Sequence, residues 1–249
     1  MRHQRRTLPP PYLRRVWLNE EANCDRTTYP YCLPLFRDGN FELVLDRPIA
    51  IIAGENGVGK STLLEGIAVL AGFNESGGGP GYHAVDNSKA VEIGGGELAR
   101  SLKASWLPKI SQGWFFRAES FFSVARYLDE VGSPSANFLS YSHGEGFIRF
   151  FEERCGRPGI FIFDEPESAL SPKRQFDFLR LLSRMEAANQ SQILIVTHSP
   201  IIMGYPGAQL MRMTRYGLNP VELQNTEHFQ ILREFVSDPD GMIRAMING

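Results

Sequence analysis

Cysteine is scarce in this chain: three residues of 249, Cys24, Cys32 and Cys155, with no C-x-x-C spacing and an odd count. That excludes a disulfide framework and fits reduced thiols in a cytoplasmic protein. Long apolar runs are also missing. Stretches such as Ile49–Ala53 and Ile160–Phe163 fall far short of the roughly 20 residues that a bilayer crossing needs, so no membrane span is expected. No charge of one sign dominates. Lys and Arg number 26 against 28 Asp and Glu, a net charge of -2, which excludes a globally basic coat for nucleic acid. With 43% hydrophobic and 22% charged residues, the composition also excludes disordered and collagen-like chains. The N-terminus has no apolar centre, because Pro9-Pro10-Pro11 stands where a secretory leader would need one, and no leader is expected.

The charge is unevenly distributed. Arg2, Arg5, Arg6, Arg14 and Arg15 lie in the first fifteen residues, leaving 21 basic against 28 acidic residues beyond them. Residues 1–15 therefore read as a basic arm, either solvated and mobile or touching nucleic-acid phosphates. Phe41–Leu45 alternates like a half-exposed strand, and Pro48–Ala53 is a continuous apolar run, a buried strand. Leu63, Ile67, Leu70 and Ala71 keep helical spacing up to Gly72, a C-terminal cap. Residues 74–96 hold the glycine clusters Gly77–Gly79 and Gly94–Gly96 and read as a long mobile loop or lid.

Further strands are expected at Trp114–Phe116, Gly159–Asp164 and Ile193–Thr197, and at Gln209–Thr214. Helices are expected over Ser120–Val131 and Gly144–Cys155, after Ser171-Pro172, and after Thr226 and Asp238. Apolar strands alternating with amphipathic helices point to the α/β class, a mainly parallel sheet flanked by helices. The chemistry-bearing motifs interleave from residue 54 to residue 198, so residues 1–249 read as one domain.

Gly54-Glu55-Asn56-Gly57-Val58-Gly59-Lys60-Ser61-Thr62 matches G-x-x-x-x-G-K-[ST] between a strand and a helix, the phosphate loop of P-loop NTPases. Its glycines let backbone N–H groups turn around a β-phosphate, Lys60 reaches the β- and γ-phosphates, and Ser61 offers a hydroxyl to Mg²⁺. The strand Ile160–Phe163 runs into Asp164-Glu165. Asp164 would hold Mg²⁺ through its water shell, and Glu165 would polarise the attacking water as general base. Glu167 reads as a surface acid. His198, after the next buried strand, lies at the carboxyl edge of the sheet within reach of a γ-phosphate.

On these residues the chain resembles the ATP-binding-cassette (ABC) class of P-loop ATPases, over nearly its whole length. In that family a phosphate loop, a signature segment, an Asp-Glu strand, a D-loop and a switch histidine come in this order. Tyr141-Ser142-His143-Gly144-Glu145 looks like the signature, although Ser-x-Gly-Glu also serves as a helix N-cap. Ser168-Ala169-Leu170-Ser171 is similar to the D-loop, with Ser171 where the family has an acid. Glu119 takes the place of the Q-loop glutamine, either as a Mg²⁺ ligand or as an acid at a helix N-terminus. The resemblance implies an ATP-bound head-to-tail homodimer in which Ser142 and Gly144 of one copy meet the γ-phosphate held by the other.

Within the class, the Glu119 substitution and the divergent signature look more like soluble SMC-type and DNA-repair ATPases than like membrane-transporter subunits. The aromatic residue that transporters stack on adenine is poorly matched by Tyr29 and Tyr31. The interval from Gly59 to Ser142 holds no sustained heptads, so no coiled-coil arm is expected. A GTPase is disfavoured by the lack of an Asn-Lys-x-Asp box. What the engine drives, DNA or a separate effector protein, is left to an outside partner, and a transporter subunit is the alternative.

Overall fold

The computed structural model describes residues 8–22, 24–80, 94–118 and 143–248. In chain order its elements are β1 Leu13–Leu18, α1 Pro34–Arg37, β2 Glu42–Val44, β3 Ile49–Ala53, α2 Lys60–Ala71, α3 Gly95–Ser101, β4 Leu102–Trp106 and β5 Gly113–Arg117. There follow α4 His143–Arg154, β6 Gly159–Asp164, α5 Pro172–Ala188, β7 Ser191–Val196, α6 Pro200–Met203, β8 Gln209–Thr214, β9 Gly217–Pro220, α7 Glu227–Ser237 and α8 Pro239–Asn248.

Six strands form one sheet in the order β5-β6-β7-β3-β8-β9, parallel except for β9. The expected α/β class with a mainly parallel, helix-flanked sheet is what the chain adopts. Its strands read as continuous apolar runs because both faces are covered. Ala50, Ile52, Ile160, Ile162, Leu194 and Val196 enter one core with α2, while Ile49, Ile51, Phe161, Phe163, Ile193 and Ile195 enter another with α4 and α5. Alternate residues of one strand thus fill opposite cores, as the two-residue period of a strand requires. The second core is aromatic: Phe116 stacks on Phe163 at 4.6 Å and meets Phe151 edge-on at 4.5 Å, with Phe178 of α5 5.0 Å from Phe163. Such pairs contribute about 0.5–1.5 kcal/mol each beyond their buried area.

A smaller antiparallel sheet, β2-β1-β4, was not expected beyond its β2 strand. It corrects the arm reading for the C-terminal end of residues 1–15. From Leu13 the chain is a strand; Tyr12 and Leu13 are buried, and Arg15 pairs with Glu42 at 2.5 Å. Arg2, Arg5 and Arg6 lie outside the described residues. Gln192, fully buried in β7, ties this strand to the large sheet. Its Oε1 accepts from Tyr12 N (2.9 Å) and Leu13 N (2.7 Å), and its Nε2 donates to Leu13 O (2.8 Å).

The glycine-rich stretch 74–96 is shorter as a loop than expected. Gly78 bridges to Phe115, and Gly95 and Gly96 already belong to α3. Residues 81–93 and the helix expected at Ser120–Val131 lie outside the described residues. Ser171 and Pro172 open α5, yet the Ser171 side chain makes no capping hydrogen bond. Thr226 does cap α7, accepting from Phe229 N at 3.4 Å. No helix among the described residues is long and apolar enough to cross a membrane.

Candidate functional site

The phosphate loop leaves the carboxyl end of β3 and enters α2 at Lys60. Gly54 is required by close approach: a Cβ there would lie 2.6 Å from Met213 O of β8. Gly57 and Gly59 sit at φ +78° and +99°, the left-handed region that glycine adopts without steric cost. The cradle therefore exposes backbone N–H groups at a helix N-terminus, an arrangement suited to phosphate. Asn56 and Gly57 are exposed, and Val58 and Gly59 half-buried.

Lys60 is buried and folded back on its own loop, its Nζ donating to Gly54 O (2.9 Å) and Glu55 O (2.7 Å). Burial pulls its pKa below the usual lysine value, against the nearby carboxylates of Glu165, Asp164, Glu167 and Glu55. Thr62 bonds Tyr29 through their hydroxyls at 2.8 Å.

Ser61 and Asp164 come from sequence positions more than a hundred residues apart and meet across α2 and β6, Ser61 Oγ donating to Asp164 Oδ1 at 3.0 Å. A hydroxyl and a carboxylate converging beside a phosphate cradle fit Mg²⁺, a hard ion that takes few protein oxygens and fills its shell with water and phosphate. Beneath them lies Arg117, at the end of β5, with Nη1 2.8 Å from Glu65 Oε1 and Nε 3.6 Å from Asp164 Oδ2. Burial pushes the Glu65 carboxyl up to about 7 despite Arg117. Glu65 and Arg117 were not singled out in the sequence.

After Asp164 the chain turns sharply. Glu165 has φ +48°, strained for a residue with a side chain, and a 3₁₀ turn Pro166–Ala169 follows. This turn directs Glu167 inward, which corrects its reading as a surface acid. Glu167 Oε1 accepts from His198 N at 2.5 Å, and burial raises its pKa. The acid thereby fixes the backbone that presents His198. Glu165 Oε1 faces His198 Nε2 at 3.4 Å. On the other side of the ring, His198 Nδ1 is 2.9 Å from Nε2 of His228, in the first turn of α7. Burial lowers the pKa of His198, with Lys60 adding to the effect.

The D-loop-like segment is tied to the same region. Gln175 Nε2 donates to Leu170 O (3.2 Å), and Ser199 Oγ donates to Gln175 Oε1 (2.5 Å). Tyr31 is buried, its hydroxyl bonded to Glu97 O and Ser101 Oγ, so it has no face for a base. A cavity of about 720 Å³ borders the outer side of the loop at Gly54, Val58, Tyr216 and His228. The structure thus brings Lys60, Ser61, Asp164, Glu165 and His198 together. Gly144 is in the first turn of α4; Ser142 and Glu119 lie outside the described residues.

Two family models match the chain. One, described as "AAA domain, putative AbiEii toxin, Type IV TA system", covers residues 138–204, and an AAA-domain model covers residues 33–105. An OLD nuclease of Thermus scotoductus is 36% identical over 70 residues, 28% of this chain and 13% of that protein. The chain thus spans a small part of that relative. A probable amino-acid ABC transporter ATP-binding protein of Sinorhizobium fredii is 25% identical over 193 residues, 64% of this chain and 72% of that protein. Among solved structures, a bacterial ABC transporter cassette determined as a dimer aligns with TM-score 0.46 and 17% identity, over 85% of this chain and 100% of the other. The SMC head domain from Thermotoga maritima aligns with TM-score 0.46 and 15% identity, over 85% and 99%. The two matched segments hold the phosphate loop and the Asp164-Glu165 strand. Over these two segments the chain matches AAA-type P-loop ATPase domains.

Proposed function

We propose that this chain is an ATP-binding and ATP-hydrolysing unit of ABC type, one domain over residues 1–249, working in the cytoplasm as an ATP-dependent homodimeric switch on DNA or a separate effector protein. The observation that carries the reading is the Ser61–Asp164 contact at 3.0 Å beside the phosphate cradle, with Glu165 and His198 at its edge.

In this reading the backbone of Gly54–Thr62 binds the β-phosphate, and Lys60 turns from its loop carbonyls to the β- and γ-phosphates. Ser61 and Asp164, with Glu119 as a further ligand, would hold Mg²⁺, which supplies charge neutralisation on the phosphate oxygens. Glu165 accepts the proton of the attacking water as its oxygen bonds to the γ-phosphorus and the bond to the bridging oxygen of ADP breaks. His198 Nε2, beside Glu165, donates to the γ-phosphate. Ser142 and Gly144 of the second copy close the site. A γ-phosphate held from two sides favours the closed dimer, and its loss removes those differential contacts.

Glu165→Gln keeps the shape of the side chain and removes its basicity. With Mg²⁺ and ATP it is expected to accumulate as a dimer by light scattering, while the parent cycles; only monomer under these conditions would overturn the sandwich. Turnover of GTP in preference to ATP would overturn the ABC assignment.

The 193-residue match to a transporter ATP-binding protein supports a second reading, the nucleotide-binding subunit of a membrane transporter. Affinity capture on the Glu165→Gln form with ATP separates the two: a permease supports the second, whereas DNA or a soluble effector supports the first.

A further inference from the structure

His228 belongs to none of the motifs above. It lies thirty residues after His198, in the first turn of α7, yet its Nε2 is 2.9 Å from His198 Nδ1, with the ring centroids 5.0 Å apart. A bond between two imidazole nitrogens needs one proton between them, so one nitrogen donates and the other accepts. Burial disfavours the charged form of both rings.

The far side of His198 decides the direction. Its Nε2 faces the carboxylate oxygen Glu165 Oε1 at 3.4 Å. If His198 donated from Nδ1, its Nε2 would present a lone pair to that carboxylate, an unfavourable pairing of two acceptors. If His228 donates from Nε2, His198 carries its proton on Nε2 and points an N–H at Glu165. His198 Nε2 closes no hydrogen bond at this distance, but the second arrangement turns the positive N–H end of the ring dipole toward the carboxylate, whereas the first turns a lone pair toward it. Lys60, Glu55 and Glu227 are the other charged groups felt by His228, and none of them offers His198 Nδ1 a second donor among the hydrogen bonds described.

We propose that His228 is a positioning residue that donates to His198 Nδ1, fixes the Nε2–H tautomer and thereby turns a free N–H toward Glu165 and the place of the γ-phosphate. Its role in turnover rests on the ATPase reading; the tautomer does not. Because His228 is carried by α7, the orientation of the switch histidine depends on the seating of a C-terminal helix.

The test uses the full chain with ¹⁵N-labelled histidine. In the parent, the ring nitrogens of His198 should report the Nε2–H tautomer; in His228→Ala the signal should move toward a mixture with Nδ1–H. Gln places an amide N–H where the His Nε2–H stood, so His228→Gln should restore the parent pattern. In ATP turnover, kcat should fall about 10- to 100-fold in the Ala variant, by analogy with the loss of a partner that orients a metal-bound histidine. KM should stay within about two-fold, and the Gln variant should recover most of the rate. An unchanged His198 tautomer in His228→Ala overturns the proposal, as does a Gln variant as impaired as Ala while folded by circular dichroism. A parent that turns over no ATP, with the tautomer shift intact, overturns the ATPase reading and leaves the proton assignment standing.

Discussion

Glu65 is the carboxyl whose charge state changes near neutrality, because burial raises it to about 7 beside Arg117. A group whose folded pKa exceeds its unfolded value contributes stability that is complete below the ordinary carboxylate range and is lost as the pH rises through the folded value. Glu65→Gln removes this dependence, so its melting temperature relative to the parent should rise as the pH goes from about 5 to about 8. A constant difference over that range would show that Glu65 stays ionised throughout. Gly54 offers a second residue-level test. Gly54→Ala drives a methyl against Met213 O, and overpacking of this kind costs about 1–3 kcal/mol, a melting point lower by several degrees at this chain length. The positions of Gly54–Thr62 and of Asp164-Glu165 at strand ends were legible in the sequence because each is a short motif of fixed spacing that directly follows a continuous apolar run. Glu167 was not, since its direction depends on the left-handed turn at Glu165. His228 was not, since only the packing of α7 brings it to His198.

At the scale of elements, the strands buried on both faces were readable as continuous apolar runs, and β6 and β8 fall on the expected bounds. β1 and β4 escaped notice for a physical reason. They cover one face of a small sheet and interleave Arg14, Arg15, Lys103 and Ser105 with their apolar residues, and each finds its partner far along the chain. The joint between the sheets rests on Gln192. Gln192→Leu keeps the bulk but removes three hydrogen bonds to the backbone of Tyr12 and Leu13. Buried groups left without partners cost about 1–3 kcal/mol each, so amide exchange at Leu13 should accelerate more than at β3. Equal exchange in parent and variant would show that the tie carries no stability.

For the whole molecule, the apolar core reaching from β1 and β4 across α2 to the large sheet predicts joint unfolding. Trp17 and Trp106 lie in the small sheet and Trp114 in the large one, so denaturation followed by tryptophan fluorescence and by circular dichroism should trace one coincident transition. Separated transitions would divide the chain into independent units and sink the one-domain proposal.

The uneven exposure of the three thiols has a practical corollary. Cys155 is buried with its pKa pushed up, Cys24 is half-buried with Sγ against Ala22 O, and Cys32 is exposed. Cys32 also adjoins Leu33, whose Cδ1 is 3.1 Å from the position a Cβ on Gly59 would take. A thiol-directed fluorophore should therefore settle on Cys32 alone, giving the unmodified chain a built-in optical reporter one residue from the wall of its phosphate loop.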